Sequence, residues 1–205
     1  MRKTIKLNIP FKKINCGKKV FLSRNNVKPI DFILCNVLFN TKASIRLDCF
    51  NSPYNICCDS QLFLQLCLRG KVGYIEKEVA IYRLHTFNLT NKIFTDYKLF
   101  LASWEYLSIP FSDAKANKLL DVLELNLFEQ KQIYQEIYKV LLNSAIFFPE
   151  KFLEIRQKLN QDFSPHIVNL VTKNKFLRIK IFLAISFPKI YTLLQKIKNK
   201  RLESQ

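Results

Sequence analysis

The chain has 205 residues, 49% of them apolar, and a formal net charge of +17. That apolar share is ordinary for a folded domain and excludes wholesale disorder, while a total of three glycines argues against a turn-rich all-β fold, which needs glycine at many positive-φ positions. The basic N-terminus has no apolar core behind it, so no signal peptide is expected, and no stretch reaches the ~18 apolar residues that span a bilayer.

Residues 1 to 29 alternate weakly in hydropathy and read as an irregular basic arm or edge strand. Ile30 to Phe39 is apolar, and Pro29 before it suits a helix start. Ala43 to Leu47 reads as a strand, and Asn51, Ser52, Pro53 and Asn55 as a loop. After Asp59, the residues Leu62, Phe63, Leu66 and Cys67 recur at helical spacing. Gly70 fits the left-handed residue that ends a helix, and Arg69 and Lys71 suit its negative end. Val72 to Ile75 and Val79 to Leu84 read as two short strands.

From Lys92 onward the period is helical. Ile93, Tyr97, Phe100, Leu101, Trp104 and Leu107 make one apolar face, which Pro110 is expected to break. Ser112 or Asp113 would cap the next helix. Its stripe runs from Leu119 through Leu123, Leu127, Tyr134 and Ile137 to Leu142, long enough to expect a break near Glu129 to Lys131. Pro149 and Pro165 each fall at the first turn of a further helix, and Pro188 interrupts the last one. The expected fold class is α/β, a few strands plus helices, followed by an all-helical C-terminal region. The expected divisions are 1 to 29, 30 to 91 and 92 to 205.

The charge is uneven. Nine basic residues and no acid precede Asp31, and nine more lie between Lys173 and Arg201 without an acid. Residues 31 to 172 hold 15 basic and 15 acidic residues. A neutral middle with basic ends points to an anionic neighbour, lipid headgroups or nucleic acid. Nucleic acid is the less favoured, because the aromatics near the C-terminal block are mixed with aliphatics rather than spaced as stacking platforms. The six cysteines show no Cys-x-x-Cys spacing. They read as reduced thiols of a cytoplasmic protein, with Cys67 a small buried hydrophobe.

The chain runs in order through Ala43-Ser44-Ile45-Arg46, Cys58-Asp59 before the leucine-rich helix, Arg69-Gly70-Lys71, Glu78, and Val79 to His85 with its Tyr82-Arg83-Leu84-His85 ending, then Asn88 and Thr90. This order resembles the acceptor-side half of a family 2 glycosyltransferase with the GT-A fold. The likeness covers about residues 30 to 91. Cys58 stands where the family often has an acid. The family's donor-side half, with its Val- and Ile-rich strand and Asp-x-Asp metal site, has no counterpart in residues 1 to 29. The chain is therefore expected to be a fragment, inactive alone. A complete member would use a divalent metal, Mn or Mg, a nucleotide-sugar donor and a saccharide or lipid-linked acceptor of the cell-envelope kind.

The resemblance makes Asp59 the general base that takes a proton from the acceptor hydroxyl. A helix N-terminus favours a negative charge there, though the same position is explained by a helix cap. It puts Arg46, Tyr82, Arg83 and His85 near substrate or diphosphate, with His85 beside the metal. On a strand Arg83 and His85 share a face, and a guanidinium fork suits phosphate oxygens. A surface arginine and an ordinary polar strand end are the plain alternatives. His166 reads as a surface or capping residue. The last alternative is a non-catalytic helical module that binds an anionic membrane or a protein partner through its basic ends, the C-terminal helix with Phe176, Ile179 and Phe182 lying in a membrane interface.

Overall fold

The computed structural model describes residues 14–22, 37–48, 57–73, 92–187 and 191. Of these, 75% are helical and 4% lie in strands, so the fold is mostly helical with a small two-stranded sheet. The chain forms two compact units, Met1–Gln132 and Ile133–Gln205.

The first unit opens with strand β1 (Ile14–Cys16) and helix α1 (Gly17–Leu22). These lie within the stretch expected to be an irregular basic arm or edge strand. Strand β1 pairs antiparallel with β2 (Lys71–Gly73), Asn15 opposite Val72. Helix α2 (Thr41–Ile45) occupies the stretch expected to be a strand. The reason is local: Asn40 Oδ1 accepts from the amide of Ala43 at 3.0 Å, and Ser44 Oγ donates to the Asn40 carbonyl at 2.9 Å. A side chain that supplies the first turn with a partner outweighs the modest β preference of one isoleucine. The expected helix over Ile30 to Phe39 falls mostly outside the described residues; Val37 to Phe39 form neither helix nor strand.

Helix α3 (Cys58–Cys67) is as its spacing predicts, and Leu62, Leu64 and Cys67 are buried. Gly70, however, has no positive φ. The helix ends instead through Leu68, and Arg69 Nη1 donates to the Gln65 carbonyl at 3.2 Å, as a cation at a helix C-terminus should. The Gly70 carbonyl bonds elsewhere, accepting from the amide of Gly17 at 3.0 Å.

Helix α4 (Tyr97–Ala102) starts at Asp96, whose carboxylate accepts from the amides of Lys98 and Leu99. Helix α5 (Glu105–Ala116) runs straight through Pro110. The expected break sits earlier, at Ser103 and Trp104. Proline forfeits one backbone bond, and the burial of Trp104, Leu107, Phe111 and Ala114 around it outweighs that loss. Ser112 and Asp113 are consequently inside α5 rather than at a cap. Helix α5 closes at Lys118, whose φ of 50° is left-handed. The Lys118 amide donates to Lys115 and the Leu119 amide to Ala114, the two bonds of a Schellman ending.

The next cap is Asp121. It opens α6 (Val122–Phe128) through a capping box in which Asp121 and Glu124 satisfy each other's backbone amides at 2.8 and 3.0 Å. Leu123 and Leu127 of the expected stripe face outward, and Phe128 is buried in their place. Its ring stacks on Phe21 at 4.4 Å and on Phe111 at 5.7 Å, joining α1, α5 and α6 in one aromatic core. A π-helical turn, Glu129–Ile133, follows where a break is expected.

The second unit is built on α7 (Tyr134–Phe147), which touches α8 (Phe152–Asp162), α9 (Pro165–Thr172) and α10 (Lys175–Ser186). Pro149 begins a 3-10 turn that leads into α8, and Pro165 occupies the first turn of α9, both as expected. The core holds Ile137, Leu141, Ile155, Leu159, Val168 and Leu177. Asn174 separates α9 from α10. Its Oδ1 accepts from the Leu177 amide, and its Nδ2 donates to the Tyr134 hydroxyl at 2.8 Å. One side chain thus caps α10 and ties it to the start of α7. Pro188 lies outside the described residues.

Candidate functional site

The first candidate is the N-terminal turn of α3. Cys57 precedes it with φ 57° and ψ 12°, a left-handed conformation that costs a non-glycine residue about 1 kcal/mol or more. Its carbonyl accepts from Gln61 at 2.9 Å, so the chain turns sharply into the helix here. Asp59 is therefore the second residue inside the helix, not its cap. It is half-buried, and its Oδ1 accepts from the amide of Ser60 at 2.7 Å. The carboxylate does satisfy one of the free amides of the helix start, and it does so from within the first turn.

Cys58 is next to it. Burial, then the negative charge of Asp59, push the Cys58 thiol up from its ordinary value. It stays protonated at neutral pH, which fits a packing residue rather than a nucleophile. Cys16, Cys57, Cys58 and Cys67 are all free thiols, and Cys67 is buried as expected.

Arg46 lies at the end of α2 and is exposed. Helices α2 and α3 touch, yet among the described residues no hydrogen bond or ion pair joins Arg46 to Asp59. Tyr82, Arg83 and His85 lie outside the described residues, as do the expected strand Val79 to Leu84 and Glu78. Among the described residues no three His, Cys, Asp or Glu side chains are placed to hold a metal ion. His166 is exposed in the first turn of α9.

Just past the other end of α3 lies a two-armed ion pair to α5. Arg69 grips Asp113 of α5 with both guanidinium arms, Nη1 to Oδ2 and Nη2 to Oδ1, each 2.6 Å. Asn117 Nδ2 adds a third bond at 2.7 Å. Burial opposes ionisation of Asp113, but the bonds and charge of Arg69 and the amides of Asn117 and Gln65 outweigh it and hold its carboxyl below the usual carboxylate range. Asp113 reads from the sequence only as a cap candidate, because its partner is 44 residues away.

The second candidate is α10. Its inner side, Leu177 and Ala184, is buried. Lys180 places its ammonium 5.3 Å from the centre of the Tyr138 ring on α7. Its outer side exposes Phe176, Ile179, Phe182 and Ile185.

No family model, no curated protein and no solved structure matches this chain.

Proposed function

We propose that the chain supplies the acceptor side of a family 2 glycosyltransferase of the GT-A fold. The observation that carries the reading is Asp59: a half-buried carboxylate in the first turn of α3, followed in order by the helix, the Arg69 to Lys71 turn and strand β2. This is the middle of the succession on which the sequence likeness rests. The Ala43 to Arg46 part that precedes it is helix α2 and its end rather than a strand, and Glu78 to Thr90 lie outside the described residues. In the proposed reaction an acceptor hydroxyl attacks the anomeric carbon of a nucleotide sugar, the nucleoside diphosphate leaves, and Asp59 takes the hydroxyl proton. Since Oδ1 is held by the Ser60 amide, Oδ2 is the oxygen assigned to that proton. Arg46, Tyr82, Arg83 and His85 are proposed to lie by substrate or diphosphate, with His85 beside the divalent metal of the complete enzyme. The acceptor is a saccharide or lipid-linked saccharide, and the reaction is cytoplasmic, where nucleotide sugars are held.

The test is Asp59→Asn in cells that make the chain with its native neighbours, scored by incorporation of labelled sugar into lipid-linked or polymeric saccharide. Loss of a general base predicts a fall of about 100-fold or more at unchanged protein level. Equal incorporation rejects the reading. A second reading, a non-catalytic module that docks through its basic ends, draws on the exposed apolar side of α10 and predicts that Asp59→Asn is silent.

A further inference from the structure

We propose that the outer face of α10 is a docking surface for an anionic phospholipid bilayer. The inference stands apart from the transferase reading and needs none of its residues.

Four large apolar side chains on this one helix point away from the unit that holds it. Phe176 is 75% exposed, Phe182 59%, Ile179 56% and Ile185 51%. Just past the helix end, the Phe187 ring meets Phe182 edge to face at 6.1 Å, so the aromatic surface continues beyond Ser186. Exposed Lys175 and Arg178 are interleaved with these residues. No acid occurs anywhere between Asp162 and Glu203. The contrast is α8: its Glu154 pairs with Lys151 of the preceding turn at 3.1 Å, and its half-buried Lys158 with Asp162 at 2.8 Å. Charges of both signs thus flank the exposed Leu153 of α8. The outer face of α10 has one sign only, and apolar groups between its charges.

The angular spread identifies the occupant. At 3.6 residues per turn, the sequence Ile185, Arg178, Phe182, Lys175, Ile179, Phe176 sweeps about 180° around the helix. A partner helix would be met by a narrow seam. Half a cylinder of mixed aromatic, aliphatic and cationic groups fits a flat boundary instead. Lying in that plane, the rings and branched chains pass below the phosphates while Lys175 and Arg178 keep their charged heads at the phosphate level. No described helix is long and apolar enough to cross a membrane. The basic residues that follow in sequence, Lys189, Lys196, Lys198, Lys200 and Arg201, add attraction to the same sign of surface.

The experiment is co-sedimentation of the full chain with vesicles of phosphatidylcholine, with and without phosphatidylglycerol. Two double variants accompany it, Phe176→Ser with Phe182→Ser and Lys175→Glu with Arg178→Glu. All four positions are exposed, so melting temperatures should not move. Wild type should bind the anionic vesicles about tenfold or more tightly than the neutral ones, and each variant should lose about tenfold or more. A Phe182→Trp variant gives a readout independent of affinity. Brominated lipid should quench its emission, whereas Trp104, fully buried, stays unquenched. Equal binding of the variants and wild type overturns the proposal, as does indifference to lipid charge or an unquenched Trp introduced by Phe182→Trp. So does a dimer in solution that the Phe176 and Phe182 changes dissociate, since a second copy would then cover the face.

Discussion

Gly17 has a neighbour on each side that no side chain could share. A Cβ there would collide with the carbonyl oxygen of Cys67 and lie 2.6 Å from that of Gly70. Both obstacles are backbone, so neither can turn aside. Gly17→Ala should destabilise the first unit by about 3 kcal/mol, seen as a lowered denaturation midpoint. Gly70→Ala, whose Cβ would sit 3.5 Å from the Leu66 carbonyl oxygen and whose φ is not left-handed, should change it by no more than about 0.5 kcal/mol. The sequence alone invites the opposite expectation. Gly70 follows a helical run and looks like its terminator, while Gly17 sits in a stretch without strong periodicity; a close approach between backbones 50 residues apart leaves no local trace. Asp59 is legible at this level as a helix-start carboxylate. The left-handed Cys57 that turns the chain into it is not, because cysteine gives no sign of that conformation.

The Arg69–Asp113 fork links the end of α3 to α5. The folded carboxyl lies below its unfolded value, so its contribution to stability is present above the unfolded value of about 4 and fades as pH falls through the lower, folded one. Wild type should therefore lose stability on acidification below about pH 4. Asp113→Asn should remove that part of the acid dependence and cost about 1–2 kcal/mol at neutral pH, measured by denaturant titration at several pH values. Helices show unevenly in the sequence. Pro149 and Pro165 mark true starts because proline is tolerated only in a first turn unless burial compensates. At Pro110 burial does compensate, so the same residue misleads. Excessive stripe length points to an irregularity near Glu129, but not to its form: a π-helical turn inside a helical run that continues from Val122 to Phe147 rather than a break. The residues Ala43 to Leu47 look like a strand only when their pattern is weighed without Asn40, the residue that starts the helix.

Charge belongs to the chain as a whole. Eighteen basic residues flank a neutral middle, and their long-range pull on an anionic surface is screened within about 8–10 Å at ordinary salt. Apolar insertion is not. Replacing Lys3, Lys6, Lys12 and Lys13 with Gln should weaken vesicle binding at low salt and make no difference near about 0.5 M, where the screening length has shrunk to a few ångströms; the defect of the Phe176 and Phe182 changes should persist at both. A salt titration of the two variants checks this. Composition alone makes the basic ends plain, whereas the outward direction of the α10 apolar groups becomes visible only once Leu177 and Ala184 are seen to supply the buried side. The Gly17 amide bonded to the Gly70 carbonyl, with Asn15 opposite Val72, has a practical corollary for engineering. Residues from Ile14 onward are structural cement for the end of α3. A fusion partner or affinity handle should be attached ahead of Ile14, and deletions that reach Gly17 should yield insoluble product even though they spare every proposed reactive group.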